Sequence, residues 1–235
     1  MTIDELKAHE TAYRPHPSVA EKLATKTLVM IVGPAGIGKS TIMNEIVAQS
    51  DDFARVTDFT TRPPRPNDEP GIYRYLSVND AATLVEHGQA VQYAVHPTTS
   101  AVYGTEAEDY PAPFNVLDTL SGVVESLRQL PFRHTVTISL TAAPHTWHDW
   151  FLSRYPEPSD ERTKRLNEAR QSITWSLAQT TQHHWLLNEA GEQANVAAEA
   201  IKIARGESNG LPGLQDDASH LLAIIDELLS TGESA

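Results

Sequence analysis

The first strongly apolar stretch of the chain is "TLVMIV", Thr27 to Val32. Six residues without polar alternation predict a strand buried on both faces. The Gly-rich "GPAGIGKST" follows, and Ile42, Ile46 and Val47 then recur at helical spacing through Gln49, predicting a helix. Before the strand, residues 1–26 hold a weak helical pattern and "YRPHPS", whose prolines predict a linker, so this segment is expected to be an extension outside the core. After Gln49, "FARVTDF" predicts a strand, "TTRPPRPNDEPG" a loop too rich in proline and charge to be core, and "YRYLS" a short strand. "VNDAATLVEHG" predicts a helix closed by Gly88, and "QAVQYAV" alternates as a half-buried strand does. "FNVLD" and "TVTISL" return to buried-strand patterning around a helix in "TLSGVVESLRQL". "HTWHDWFLSRY", "SDERTKRLNEARQSITWSLAQTT", "HWLLN" and "EQANVAAEAIKIA" predict helix, long helix, strand and helix. This rhythm predicts an α/β fold, a parallel sheet covered by helices. In the last segment Leu221, Leu222, Ile225, Leu228 and Leu229 share one helical face. That face is expected to pack on its own domain, with a homodimer or another partner as the alternative.

The length, 235 residues, fits one main domain with terminal additions. There is no cysteine, which excludes disulfides and Cys-bearing zinc sites. The apolar runs are too short to span a bilayer, and the acidic, polar N-terminus has no leader-like pattern, so a soluble cytoplasmic protein with no membrane partner is expected. A net charge of −13 argues against a long nucleic acid as ligand. Positive charge is instead local: Arg62, Arg65 and Arg74 lie in one stretch and Arg154, Arg162, Lys164, Arg165 and Arg170 in another, whereas the acidic segment after Arg205 has no Lys or Arg. His145 and His148, or His183 and His184, lack the carboxylate-histidine pattern of a metal site. Trp147, Trp150 and Trp175 are expected to be packing residues.

Gly33, Gly38, Lys39 and Ser40 satisfy G-x-x-x-x-G-K-[ST] between a predicted strand and a predicted helix. In that context backbone N–H groups and the helix N-terminus surround a β-phosphate, the lysine bridges β- and γ-phosphates, and the serine hydroxyl reaches Mg²⁺. The motif predicts a nucleoside triphosphate site. Downstream, Arg62 and Arg65 sit on a proline-restricted loop followed by Tyr73 and Tyr75. Two guanidinium forks and a phenol can hold a second phosphate. A phosphoryl donor and a small phosphorylated acceptor are the coherent reading.

With these motifs, "VYGT" at Val102 to Thr105, "VLDTLSG", "SRY…KRLNEA" and "LLNE", the chain resembles the guanylate kinase family over about residues 27–206. The resemblance implies a P-loop nucleoside monophosphate kinase with ATP as co-substrate and Mg²⁺, a monophosphate-binding subdomain at about residues 57–108 and a helical lid at about 142–176; beyond it, residues 207–235 are expected to form an acidic tail with the amphipathic helix read above. It assigns ATP to the loop Gly33, Ala35, Gly36, Ile37, Gly38, Lys39, Ser40 and Thr41, with Asn188 near the adenine. Arg62, Arg65, Tyr73 and Tyr103 match binders of the acceptor phosphate, and Gly104 and Thr105 lie beside the base. Arg154 and Arg165 match lid arginines that close over the transferring group. Lys39, Arg65, Arg154 and Arg165 are thus the catalytic candidates, and Ser40 the candidate Mg²⁺ ligand. Asp118 matches the acidic region serving acceptor and metal, although the family's "DxD" is "DTLSG" in this chain.

Two departures fall on the base pocket. Asp58 replaces a Ser four residues before the first loop arginine, and Gln92 replaces the Glu of an "E-[WY]-A" strand. An ionised Asp accepts only, and a Gln amide both accepts and donates, which suits adenine's N6 amine and N1 better than guanine's edge. GMP or dGMP remains the family's expectation, and an adenine nucleotide or phosphorylated sugar is the alternative. A non-catalytic module binding a phosphorylated ligand would have no use for Lys39 and Ser40.

Overall fold

A computed structural model describes residues 1–65, 68, 71–96 and 99–231. In chain order it contains α1 (Ile3–His9), α2 (Pro17–Leu23), β1 (Thr27–Val32), α3 (Lys39–Gln49), β2 (Phe53–Arg55), β3 (Asp58–Thr60) and β4 (Tyr73–Tyr75). There follow α4 (Val78–Glu86), β5 (Ala90–Val95), β6 (Val102–Glu106), β7 (Phe114–Asp118), α5 (Val124–Arg128) and β8 (His134–Thr141). The chain closes with α6 (Pro144–Arg154), α7 (Asp160–Leu177), β9 (His183–Leu187), α8 (Gln193–Ala204) and α9 (Leu214–Ser230). Five strands form a parallel sheet in the order β2-β7-β1-β8-β9, and four form a mixed sheet in the order β4-β3-β6-β5. The predicted strand "FARVTDF" is two strands, β2 and β3, and each belongs to a different sheet. Hydrophobic patterning cannot see such a break, because both halves carry strand-like side chains.

The chain divides into two compact units. The first comprises residues 1–27, 52–115 and 126–134. Its core gathers Leu6, Tyr13, Phe59, Ala81, Val85, Tyr93 and Val102. Residues 1–26 therefore do not stand outside the core. Leu6 and Leu23 are fully buried, and the Tyr13 hydroxyl donates to Ala90 O at 2.6 Å. Burial also pushes Tyr93 up to about 12, its hydroxyl donating to Leu6 O at 2.8 Å. The proline at position 17, expected in a linker, starts α2, where its missing N–H costs nothing. Thr2 and Glu5 form a reciprocal capping box at α1, which stabilises a helix too short to persist alone.

The second unit comprises residues 28–51, 116–125 and 135–235, within the described range. β1 is buried at all six positions, as a strand covered on both faces must be. The apolar face of α9 is covered within the chain: Leu214, Ala218, Leu221, Ile225 and Leu228 are buried, and the helix packs on α6, α7 and β9. Truncating fully buried Leu221 to Ala leaves a cavity there. A loss of about 2–5 kcal/mol in urea-unfolding free energy is expected, whereas a face held open for a partner would give almost none.

Candidate functional site

The second unit builds a Gly-rich cradle at the end of β1. Gly36 and Gly38 have φ of 81° and 91°, left-handed conformations that side-chain-bearing residues rarely adopt. A Cβ on Gly38 would lie 2.6 Å from Asn188 Nδ2, so only glycine fits. α3 starts at Lys39 without a side-chain cap, which leaves the first-turn N–H groups for an anion. The loop is braced from behind. Trp147 Nε1–H donates to Ala35 O at 2.9 Å from a fully buried ring stacked on Phe151, and Asn188 Nδ2 donates to Ile37 O at 2.8 Å. Asn188 is thus a pillar of the loop, itself held by its N–H bond to Thr141 O at 2.8 Å. Trp147, expected to be a packing residue, packs and also positions the cradle.

Lys39 Nζ bonds Gly33 O at 2.9 Å and Pro34 O at 3.3 Å and lies 3.9 Å from Asp118 Oδ1. A cavity of about 390 Å³ is lined by Gly33, Lys39, Asp118, Arg165, Glu168 and Ser172, among others. Arg165, predicted from the lid, is therefore in the same cavity as Lys39. Glu168 accepts from its guanidinium at 2.8 Å; burial lowers the Arg165 pKa, but Glu168, with Tyr155 and Glu161, raises it, and the net shift is upward. Ser172 Oγ and Arg165 Nε are buried without a described hydrogen-bond partner. Ser40 and Thr41 are exposed at the start of α3. A second cavity, about 290 Å³, is lined by Gly36, Gly38, Thr41, Trp150, Asn188 and Gly191. Arg154 is exposed on the last turn of α6, its guanidinium 5.7 Å from the Tyr155 ring centroid, and it lines neither cavity.

In the first unit, strand register explains which candidates share a face. β3 pairs with β4 through Asp58↔Tyr73 and Thr60↔Tyr75, and with β6 through Thr60↔Tyr103. β5 pairs with β6 through Gln92↔Thr105 and Ala94↔Tyr103. Because strand side chains alternate, Asp58, Tyr73, Gln92, Tyr103 and Thr105 lie on one face, opposite the Phe59 and Tyr93 of the core. Gly104 belongs to the core face: a Cβ there would meet Phe59 at 2.5 Å and Gln92 O at 2.6 Å. Thr105, implied to lie beside a base, is fully buried, and its hydroxyl is 2.9 Å from the Tyr110 hydroxyl. Tyr110 itself went unread in the sequence, where nothing distinguishes it from other buried aromatics. Burial raises the Tyr73 and Tyr110 phenols, and the Asp58 carboxylate adds to both shifts.

Arg62 is 8% exposed and lies over the Tyr73 ring at 4.6 Å. Both its terminal nitrogens donate to Asp68, at 2.7 and 2.6 Å. Asp68 also accepts from the Arg65 backbone N–H at 2.7 Å and from the Tyr75 hydroxyl. Arg65 itself is exposed. Arg74 is drawn away to Glu106 and Asp109, at 2.7 and 2.8 Å. Pro66, Asn67, Glu69 and Pro70 of the arginine loop, and Pro97 and Thr98 of "HPTTSA", lie outside the described residues. Arg62, then Tyr75, hold the Asp68 carboxyl well below the usual carboxylate range. A carboxyl lowered by folding contributes stability above its unfolded pKa of about 4, and that contribution is lost as pH falls through the folded value. The stability gap between wild type and Asp68→Asn is therefore expected to be constant at neutral pH and to close only in acid, as urea unfolding at pH 7 and in the acid range will read.

Against this geometry stand the known proteins. A family model described as Guanylate kinase matches residues 25–111, which span the Gly-rich loop, the arginine loop and "VYGT". The guanylate kinase of Corynebacterium diphtheriae is 28% identical over 188 residues, covering 76% of this chain and 95% of that protein. The chain is thus similar to guanylate kinases, by the family model over its first half and by curated relatives over about three quarters of its length. The guanylate kinase of Thermotoga maritima is 27% identical over 197 residues, covering 77% of this chain and 90% of its own. The crystal structure of guanylate kinase from Anaplasma phagocytophilum shares the fold, with a TM-score of 0.51 at 17% identity over 79% of this chain and 86% of that one. No helix among the described residues is long and apolar enough to cross a membrane.

Proposed function

We propose that this chain is a cytoplasmic nucleoside monophosphate kinase that transfers the γ-phosphoryl group of ATP to a nucleoside monophosphate, GMP or dGMP first, forming ADP and the diphosphate. The observation that carries the reading is the cradle of positive-φ glycines, Gly36 and Gly38, at the uncapped start of α3, with Lys39 and Arg165 lining one cavity beside it; there an anion would meet backbone N–H groups and two cations. ATP phosphates would lie along Gly33 to Thr41. The cavity beside Gly38, Trp150 and Asn188 suits the nucleoside end of ATP, and that beside Lys39 suits the transferring end. Asn188 then serves the adenine side by holding the loop as well as by lining that cavity. The exposed Ser40 hydroxyl at the start of α3 fits Mg²⁺, with Asp118 3.9 Å from Lys39 as a nearby acid. When bound, the ion would neutralise negative charge on the ATP phosphates.

The chain's own residues supply the rest. Lys39 leaves its two carbonyl partners for phosphate oxygens, a stronger charge-assisted contact. Arg165, turned toward the cavity by Glu168, stabilises charge on the moving group, and Arg154 joins it on lid closure. In the first unit, Arg65, Arg62, Tyr73 and Tyr103 orient the acceptor phosphate, whose ionised oxygen needs no general base. Asp118 would contact the acceptor or its metal.

A second reading keeps the chemistry and changes the acceptor, because Asp58 and Gln92 share the polar face on which the base would rest. The test is ADP release with ATP and Mg²⁺ against GMP, dGMP, AMP, dAMP, CMP, UMP, dTMP and a phosphorylated sugar. Turnover of GMP or dGMP is the expected result. Turnover of another acceptor with guanine nucleotides ignored selects the second reading, and no turnover of any of them points to a non-catalytic ligand-binding module.

A further inference from the structure

The arginine loop holds an anion of its own. Four hydrogen bonds converge on the Asp68 carboxylate: two from Arg62, at 2.7 and 2.6 Å, one from the Arg65 backbone N–H at 2.7 Å, and one from the Tyr75 hydroxyl. A bidentate guanidinium, a backbone N–H and a phenol are the donor set that a phosphate monoester takes. The Arg62 guanidinium is enclosed besides. It is only 8% exposed, its NH1 also donates to Pro63 O at 3.0 Å, and its plane is covered by Tyr73 at 4.6 Å. Asp68 takes the edge between the two terminal nitrogens, so a phosphate that uses that edge must displace it.

We propose that Asp68 is an internal ligand of the acceptor-phosphate cradle, and that a phosphate binds there by displacing its carboxylate. The inference rests on the acceptor-site reading above and adds a competitor to it. A dianionic phosphate out-competes a monoanionic carboxylate for the same donors, whereas a singly charged ligand gains little from the exchange. Asp68 thus sets the charge that an acceptor must carry. It also keeps Arg62 paired when no acceptor is present, which avoids an unsatisfied buried guanidinium. The competing arrangement is a brace, in which Asp68 stays on Arg62 while a phosphate binds Arg65. The two differ in sign. Removing a competitor raises phosphate affinity, and removing a brace lowers it.

The experiment is an NMR titration of the full chain with inorganic phosphate at pH 8, comparing wild type, Asp68→Asn and Arg65→Ala. Asp68→Asn keeps the side-chain size and removes the charge. The expected result is phosphate affinity raised about tenfold in Asp68→Asn and lost in Arg65→Ala. Equal or lower affinity in Asp68→Asn, with wild type still binding at this loop, overturns displacement and leaves the acceptor site standing. Absence of binding at this loop in both wild type and Asp68→Asn overturns the acceptor-site reading with it. A second measurement on wild type needs no variant: the Asp68 carboxyl titration, followed by its ¹³C shift, is expected to move up toward the ordinary carboxylate range under saturating phosphate. A carboxyl that keeps its low value under saturation is a brace.

Discussion

Lys39→Ala is expected to lower kcat for phosphoryl transfer by about 10³-fold, the scale on which removing one preorganised stabiliser of transition-state charge is felt. The side chain is part-buried at the mouth of the cradle and spends its three donors on Gly33 O, Pro34 O and the neighbourhood of Asp118. None of these partners depends on Lys39 for burial of a charge, since Asp118 is 42% exposed. Alanine is a good first residue for α3, so the melting temperature should move little. Lys39→Arg should not restore activity, because a planar fork cannot place a point charge between two phosphates in a space shaped for an ammonium. The measurement is steady-state ADP release beside a thermal melt. A fall of less than tenfold at unchanged stability would remove Lys39 from the transfer machinery and with it the main argument for catalysis.

The Gly-rich cradle was legible in the sequence because its parts are local. Strand, Gly-rich turn, Lys39 and helix are contiguous, and the positive φ of Gly36 and Gly38 is a property of single residues. What braces that loop was not legible. Trp147 and Asn188 reach it from 112 and 151 residues away, and a tryptophan in an amphipathic helix reads as core whether or not its N–H finds a carbonyl. The arginine loop was legible as a cluster of donors, yet its pairing with Asp68 was not, since an acid three residues after Arg65 reads as loop solvation. Residues 1–26 misled because their apolar positions are few. Leu6 lies in α1, Val19 and Leu23 in α2, and Tyr13 in the connection between them, so no window carries a strong periodic signal, although each side chain is buried. α9 was the reverse case, a long helix whose dense stripe announced a burial that α6 and α7 supply.

The double variant Asp58→Ser with Gln92→Glu is expected to raise the kcat/KM preference for GMP over AMP by about 10²-fold or more, the range in which mismatched buried polar groups discriminate between ligands. β6 lies between the strands that carry them, and alternation turns both residues to the polar face, so one ring can meet both. In the proposed site a guanine O6 near Asp58 would face a carboxylate with no proton to donate, and serine would supply one. Near Gln92 a guanine presents donors at N1 and N2, and glutamate accepts from both where the amide accepts with one atom only. Each single variant should give part of the change, and the pair should exceed neither sum by much unless the base shifts in the pocket. The Asp58 half has an independent readout. Its charge helps raise the Tyr73 and Tyr110 phenols after burial has raised them, so Asp58→Ser should lower both titrations while burial keeps them above the ordinary value. Tyrosine titration that drops while the GMP-to-AMP preference stays fixed would place Asp58 beside the phenols but away from the base, and the choice of acceptor would then lie with other residues of the pocket.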